Sequence, residues 1–368
     1  MKTRIRITKD EAIALNIDVS KLKPCATSGR MYRVSVSDEQ FIDIQQFRHD
    51  GLLKHCANRG IDFDSVTEYW DKTKEYSVRV RPEIRQIQDI TAEIIEEMEA
   101  YAPVYPKIKR EPVKDGHLLV IDPADVHIGK LATAFESGED YNSEIAVQRV
   151  REGVEGILCK SHGFNIEKIV LIIGNDILHI DTPKRTTTSG TPQDTDGMWY
   201  ENFLKAKNIY VEVIEKLMTV SDVHVIYNPS NHDYTNGFFL ADVVRTWFKN
   251  ASNVTFDTSI AHRKYFKYGK NLLGSTHGDG AKLQDLPLLM ATESPSEWSE
   301  TKHRYMYTHH VHHKMSKDFV GVTVESLRSP SGTDSWHHRK GYQHAPKAIE
   351  GFIHHPIHGQ VARLTHLF

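Results

Sequence analysis

No stretch of this 368-residue chain approaches the roughly 20 consecutive apolar residues that a bilayer span needs, so no transmembrane helix is expected. Cysteine is scarce. Cys25, Cys56 and Cys159 are odd in number, far apart and in no CxxC pairing, which indicates neither a disulfide framework nor a zinc knuckle; all three read as buried thiols. An excess of one charge sign is lacking too: 46 Lys+Arg against 49 Asp+Glu leave a net charge of −3, so only a local patch could recognise a polyanion. The opening residues MKTRIRITKDEAIALNID hold no apolar leader, and a cytoplasmic location is the expectation. Internal repeats are missing, and Thr186-Thr187-Thr188-Ser189-Gly190-Thr191 is the single low-complexity patch. What the chain has in abundance is histidine, 22 in all, crowded into the C-terminal third from His303 to His366. A purification tag would be one unbroken run, so these histidines read as a metal site plus surface and core residues.

The length exceeds one ordinary domain. In the first part, Ser37-Asp38-Glu39-Gln40 is a capping box opening a helix with Phe41, Ile44, Phe47, Leu52 and Leu53, and Gly60 ends it. Asp62 or Asp64 then caps a second helix carrying Val66, Tyr69 and Trp70, followed by an alternating strand, Tyr76–Val80. This order predicts a small, mainly helical module resembling a helix-turn-helix or winged helix. Residues 1–113 hold equal numbers of acidic and basic residues, so the module reads first as an appendage that packs, forms a homodimer or holds a protein partner, with nucleic-acid contact as the alternative. A helix over Glu83–Ala100 has an acidic, solvated end. Pro103, Pro106 and Pro112 mark a linker, and the domain boundary is placed near residue 113, giving 1–113 and 114–368.

Beyond His117, apolar strands alternate with amphipathic helices: strands Leu118–Ile121, Lys168–Ile173 and Val223–Tyr227, helices Glu144–Lys160 and Trp199–Val220. Later strands around Val254–Phe256, Tyr265–Lys267, Asn271–Gly274 and Phe319–Leu327 suggest a second, mixed sheet, and the class is α/β. Ligand-type side chains sit where these strands end. Asp125-Val126-His127, Asn175-Asp176, Asn231-His232-Asp233 and His277 each follow a strand within a few residues, and the cluster His309-His310-Val311-His312-His313 repeats the theme. In α/β sheets such loops converge on one crevice, and a mixed O/N donor set suits Mn²⁺, Fe, Zn²⁺ or Ni²⁺ better than Ca²⁺.

In this order the blocks resemble the calcineurin-like metallophosphoesterase family, whose signature reads D-x-H, G-D, G-N-H-D/E, H and G-H-x-H. Asp125-Val126-His127 matches unchanged. Gly174-Asn175-Asp176 carries one extra residue, Ser230 stands in place of the third block's glycine, and His309 in place of the last block's. The resemblance implies a four-layer sandwich of two mixed sheets flanked by helices. It implies two divalent cations, Mn²⁺ foremost with Fe, Zn²⁺, Ni²⁺ or Mg²⁺ as alternatives. Asp125, His127, Asp176 and His312 would hold one, and Asp176, Asn231, His277 and His310 the other, with Asp176 bridging. His232 would protonate the leaving oxygen and Asp233 orient it. By residue order alone, His309 and His313 remain open as ligands beside His310 and His312.

In nuclease members, those that process DNA ends as exonucleases, a histidine follows the bridging Asp, as His179 does here. His179, Lys184 and Arg185 are therefore candidate substrate contacts on the polar loop 178–198. The segment Ser329–Tyr342 pairs cations with aromatics, a combination suited to stacking bases or to packing a loop. The leading expectation is a phosphodiesterase acting on DNA or RNA; the alternatives are a phosphomonoesterase on protein or small molecules and a non-catalytic nucleic-acid-binding module.

Overall fold

The computed structural model describes residues 2–25, 28–71, 76–80, 103–342 and 344–368; the helix expected over Glu83–Ala100 lies outside them. The chain divides into two compact units, Met1–Glu96 and Glu97–Phe368.

In the first unit, β1 (Thr3–Ile7), α1 (Lys9–Ala14), β2 (Lys23–Cys25), β3 (Ser28–Val36) and α2 (Asp38–Arg59) follow one another. The strands form an antiparallel sheet in the order β1-β3-β2. One face buries Ile7, Val34 and Val36 against Ala12 of α1 and Ile44 of α2. Helix α2 begins at the Ser37/Gln40 capping box and ends at Gly60, whose φ of 64° is the left-handed conformation that glycine takes freely. The second helix expected from residue 62 is instead a single 3-10 turn, Phe63–Ser65, leading into β4 (Val66–Asp71), which pairs with β5 (Tyr76–Val80). The β-branched and aromatic run Val66-Thr67-Glu68-Tyr69-Trp70 favours a strand once a partner is available, and that pairing overrides the cap signal.

In the second unit, β6 (His117–Asp122), α3 (Ala134–Ser137), α4 (Ser143–Lys160), β7 (Ile166–Gly174), α5 (Trp199–Val220), β8 (Asp222–Asn228), α6 (Tyr234–Trp247) and β9 (Val254–Asp257) come first. There follow β10 (Arg263–Tyr268), β11 (Asn271–Thr276), α7 (Leu286–Glu293), α8 (Pro295–Glu300), β12 (His303–Thr308), β13 (Met315–Phe319), β14 (Val322–Ser326), α9 (Ser335–Lys340), β15 (Ala348–His355) and β16 (Gly359–Leu367). Two mixed sheets result, β16-β15-β6-β7-β8-β9 and β10-β11-β12-β14-β13. Strands β6 to β9 are parallel, and β15 runs antiparallel to β6.

Their near-continuous apolar runs follow from burial on both faces. On one face Leu119, Ile121, Leu171 and Val225 meet α4, α5 and α6. On the other, Leu118, Val120, Val170 and Ile172 meet Leu273 and Tyr307 of the second sheet. That sheet's far side, Leu272, Met306, Val322 and Val324, packs on Leu286 and Met290 of α7. Helices, sheet, sheet, helices: the four layers are those the resemblance implies.

Some readings are corrected. The stretch Phe319–Leu327 is not one strand but half of a β13–β14 hairpin, turning at Gly321. Cys25 and Cys56 are buried, but Cys159, near the end of α4, is exposed. Residues 103–113 have no regular structure but lie along the second unit: the Tyr105 hydroxyl donates to Glu215 (2.7 Å) and accepts from Trp247 Nε1 (3.0 Å), and its ring stacks on Phe248. Among the described residues no helix is long and apolar enough to cross a membrane.

Candidate metal centre

The loops after β6, β7, β8, β11 and β12 meet at the carboxyl ends of their strands. The backbone locks them together first: Asp125 N–H donates to Asn175 C=O (2.7 Å), His127 N–H to Asp176 C=O (2.9 Å), Asn175 N–H to Asn228 C=O (3.1 Å) and His309 N–H to His277 C=O (2.9 Å). Six non-glycine residues of these loops have positive φ: Asp125, His127, Asn175, Asp176, His310 and His312. Left-handed backbone outside glycine costs energy and persists where surrounding structure over-determines it, typically at functional sites. Here it turns successive side chains inward.

Two His/Asp clusters result, Asp125/His127/His312 and Asp176/His277/His310, each with one potential ligand atom per residue within 4.8 Å of the others. In the second, His277 Nε2 lies 3.2 Å from Asp176 Oδ2, 3.2 Å from His310 Nδ1 and 2.8 Å from Asn231 Oδ1. A single N–H could serve only one of these neighbours, whereas a cation among them would serve all four. In the first, His127 Nε2 and His312 Nε2 face each other at 3.3 Å, and Asp125 Oδ1 is 3.7 Å from His312 Nε2. The donor set of imidazoles, carboxylates and one amide oxygen therefore fits divalent transition-metal ions.

Electrostatics agree with that fit. Burial pushes the His127 and His312 imidazoles well below their ordinary range, which keeps them neutral as ligands must be. Burial also pushes Asp125 up, to about 7, with the neighbouring Asp176 charge adding to it. For His277, burial is outweighed by the Asp176 and Asp125 carboxylates, which raise it to about 9. The site thus calls for positive charge.

Of the other candidates, His232 donates from Nδ1 to the His179 carbonyl (2.9 Å), which leaves Nε2 free, and its N–H reaches Asp176 Oδ1 (3.0 Å). His179 is buried, 3.3 Å from His127 through their Nδ1 atoms, and stacks on His232; these three histidines form a further group with metal-ligand spacing. Asp233 does not orient His232. Its buried carboxylate instead accepts from the Ser230 hydroxyl (2.6 Å) and Leu178 N–H (2.9 Å), tying the β8 loop to the β7 loop. Lys184 and Arg185 are exposed and do not line the cavity. The cavity itself holds about 580 Å³, and His127, Asp176, His179, Asn231, His232, His310, His312, Trp336 and His337 are among the residues that bound it.

Several supporting residues escape sequence reasoning. Ser230 Oγ accepts from Asp176 N–H (2.7 Å) while donating to Asp233, so this hydroxyl braces the loop. His309 faces away from both clusters, donating from Nδ1 to Thr276 C=O (3.0 Å) and from Nε2 to Asp122 (2.8 Å). His313 is exposed, with its ring bonded to Val311 C=O. Buried Lys130 pairs with Asp334 (2.8 Å), the N-cap of α9, and Asp334 also accepts from His337 Nδ1 (2.7 Å), which seats the His337 ring on that of His312. The only signal for Lys130 is its place three residues after His127.

No family model matches the chain, and no curated protein matches it. Solved structures to which it is similar include a novel archaeal phosphodiesterase (9% identity, covering 68% of this chain and 99% of that one, TM-score 0.32). A predicted phosphoesterase from Streptococcus pneumoniae TIGR4 is 12% identical over 69% of this chain and 98% of its own (TM-score 0.27). Zinc-bound Vps29 from Entamoeba histolytica is 10% identical over 68% and 98% (TM-score 0.30). Likeness this slight carries no argument about the chemistry of this chain, whose reading rests on its own side chains.

Proposed function

We propose that the second unit is a two-cation phosphodiesterase acting on nucleic acid. The observation that carries this is the convergence at one cavity of two His/Asp clusters from four separate loops, with Asn231 from a fifth. Asp125, His127, Asp176 and His312 would hold one divalent ion, and Asp176, Asn231, His277 and His310 the other, with Asp176 shared. When bound, the pair would supply the Lewis acidity that two-metal phosphate-ester hydrolyses use.

The chain's own residues do the rest. His232, held by the His179 carbonyl at Nδ1, presents Nε2 to the cavity, where a proton on that atom can pass to a leaving alkoxide. His179, stacked on His232, fixes that ring and closes the cavity floor. Trp336, half exposed at the cavity, offers a face on which a base can stack, which favours a nucleotide-bearing diester over a small monoester.

The test is an activity panel with Mn²⁺: bis-p-nitrophenyl phosphate, p-nitrophenyl phosphate, and end-labelled DNA and RNA. Turnover of the bis-ester and of nucleic acid, lost in Asp176→Asn and His310→Ala, is the expected result. Hydrolysis of the monoester alone would reassign the protein to phosphomonoesterases. Nucleic-acid binding with no turnover under any metal would make it a binding module.

A further inference from the structure

The outward face of the first unit's sheet carries one sign of charge. Along β1 the inward residues Ile5 and Ile7 alternate with exposed Arg4 and Arg6. Register places Arg6 opposite Arg33 of β3, and Arg33 opposite Lys23 of β2, so three exposed cations form one row across the three strands. Arg4 continues the pattern two residues along β1, opposite the exposed Ser35. Neighbouring strands lie about 5 Å apart and alternate residues on a strand about 7 Å. Among the described residues none of the four cations makes an ion pair, whereas nearby Arg48 is engaged by Glu11 and Lys21 by Asp18.

Like charges directly opposite on a sheet destabilise it. A row of them with no acid among its cross-strand partners, among the described residues, is therefore a surface that gains from an anion arriving from outside. Three of the four are arginines, whose planar fork matches phosphate oxygens in pairs. Between them lie Ser35 and the half-buried Met31, so among the described residues this face lacks the large exposed apolar side chains with which a protein lies in a lipid surface. Among the described residues it carries no aromatics on which bases could stack, so its cations are matched first by the phosphates, which carry no sequence information.

We propose that the Arg4/Arg6/Lys23/Arg33 face binds the phosphate backbone of nucleic acid without regard to sequence. This proposal does not rest on the metal site, and the two are separable because binding can be measured in EDTA, where cation-dependent hydrolysis is off.

The experiment uses the full chain, a fluorescent single-stranded oligonucleotide and a salt series. The combined variant Arg4→Ser, Arg6→Ser, Lys23→Ser and Arg33→Ser is expected to bind at least about tenfold more weakly. The slope of log affinity against log salt should flatten by about 0.7 for each cation that contacts a phosphate. A companion with the three arginines changed to lysine should keep the slope, and turnover of bis-p-nitrophenyl phosphate should be the same in all three proteins. If the combined variant fails to fold, Arg6→Ser and Arg33→Ser singly should each flatten the slope by about 0.7. Unchanged affinity and slope would overturn the proposal. So would equal, equally charge-dependent binding of polyglutamate or of phosphatidylserine vesicles, which would assign the face to an acidic protein or a membrane.

Discussion

Ser230 shows how a residue that differs from the pattern the sequence resembles becomes intelligible only in the fold. In sequence it is a missing glycine; in the structure its hydroxyl satisfies both the Asp176 amide and the Asp233 carboxylate. Ser230→Ala, which orphans two buried groups, should cost about 2 kcal/mol in urea unfolding, and a change below about 0.5 kcal/mol would contradict the bracing role. His309 makes the same point. Residue order brings it near the site, but whether it faces the cavity or Asp122 depends on the left-handed turns at His310 and His312, which no local pattern announces. A third residue sets a pH response. His354 is buried beside Tyr307, 2.9 Å from its hydroxyl, and burial pushes its imidazole down to about 3. Its folded value lies below the unfolded one near 6.5, so the unfolded chain binds the extra proton. The stability this site contributes is therefore whole above pH 6.5 and falls as the pH drops toward 3, by at most about 1.4 kcal/mol per unit. In His354→Phe that part of the slope should vanish when urea midpoints are compared at pH 7.5 and 5.5.

At the scale of elements, four of the five strands that lead into the site were legible, while His303–Thr308, which leads to His310 and His312, was not. Leu118–Ile121, Lys168–Ile173 and Val223–Tyr227 are apolar on both faces because helices cover one side and a second sheet the other, and such runs stand out in any sequence. Ala348–His355 and Gly359–Leu367 do not stand out, since Glu350, Gly351 and three histidines interrupt their apolar pattern, though they pair as firmly. The turn that ends β7 has a strict requirement. Gly174 has φ of 85°, and a Cβ there would collide with the Asn228 carbonyl, which is backbone and cannot swing aside. Gly174→Ala should therefore destabilise by about 3 kcal/mol. A lowered melting temperature with lost cation binding is the expected readout, and an unchanged one would mean that the β7–β8 junction is looser than its hydrogen bonds imply.

Taken whole, the chain places a cation-shaped cluster pair in one unit and a cationic sheet in the other, and the second unit's stability should answer to metal. Mn²⁺ at a hundred times its dissociation constant should stabilise the unit by about 2.7 kcal/mol through linkage. Thermal unfolding with and without EDTA should show that shift in the native protein and not in Asp176→Asn. The α/β class and the ligand loops could be read from order and spacing. The three-stranded sheet of the first unit could not, because few of its positions are buried and charged or small residues interrupt the apolar ones.

The strand bearing Asp122 lies between two neighbours made at very different times. Residues 166–174 flank it on one side, but Glu350, more than two hundred positions downstream, is what faces Asp122 on the other. Until the ribosome has released that distant segment, a strand in the middle of the finished sheet is an open border, ready to pair with whatever edge drifts past. A message cut short ahead of codon 348 should therefore yield insoluble product, even though every residue proposed to grip a cation would already have been translated.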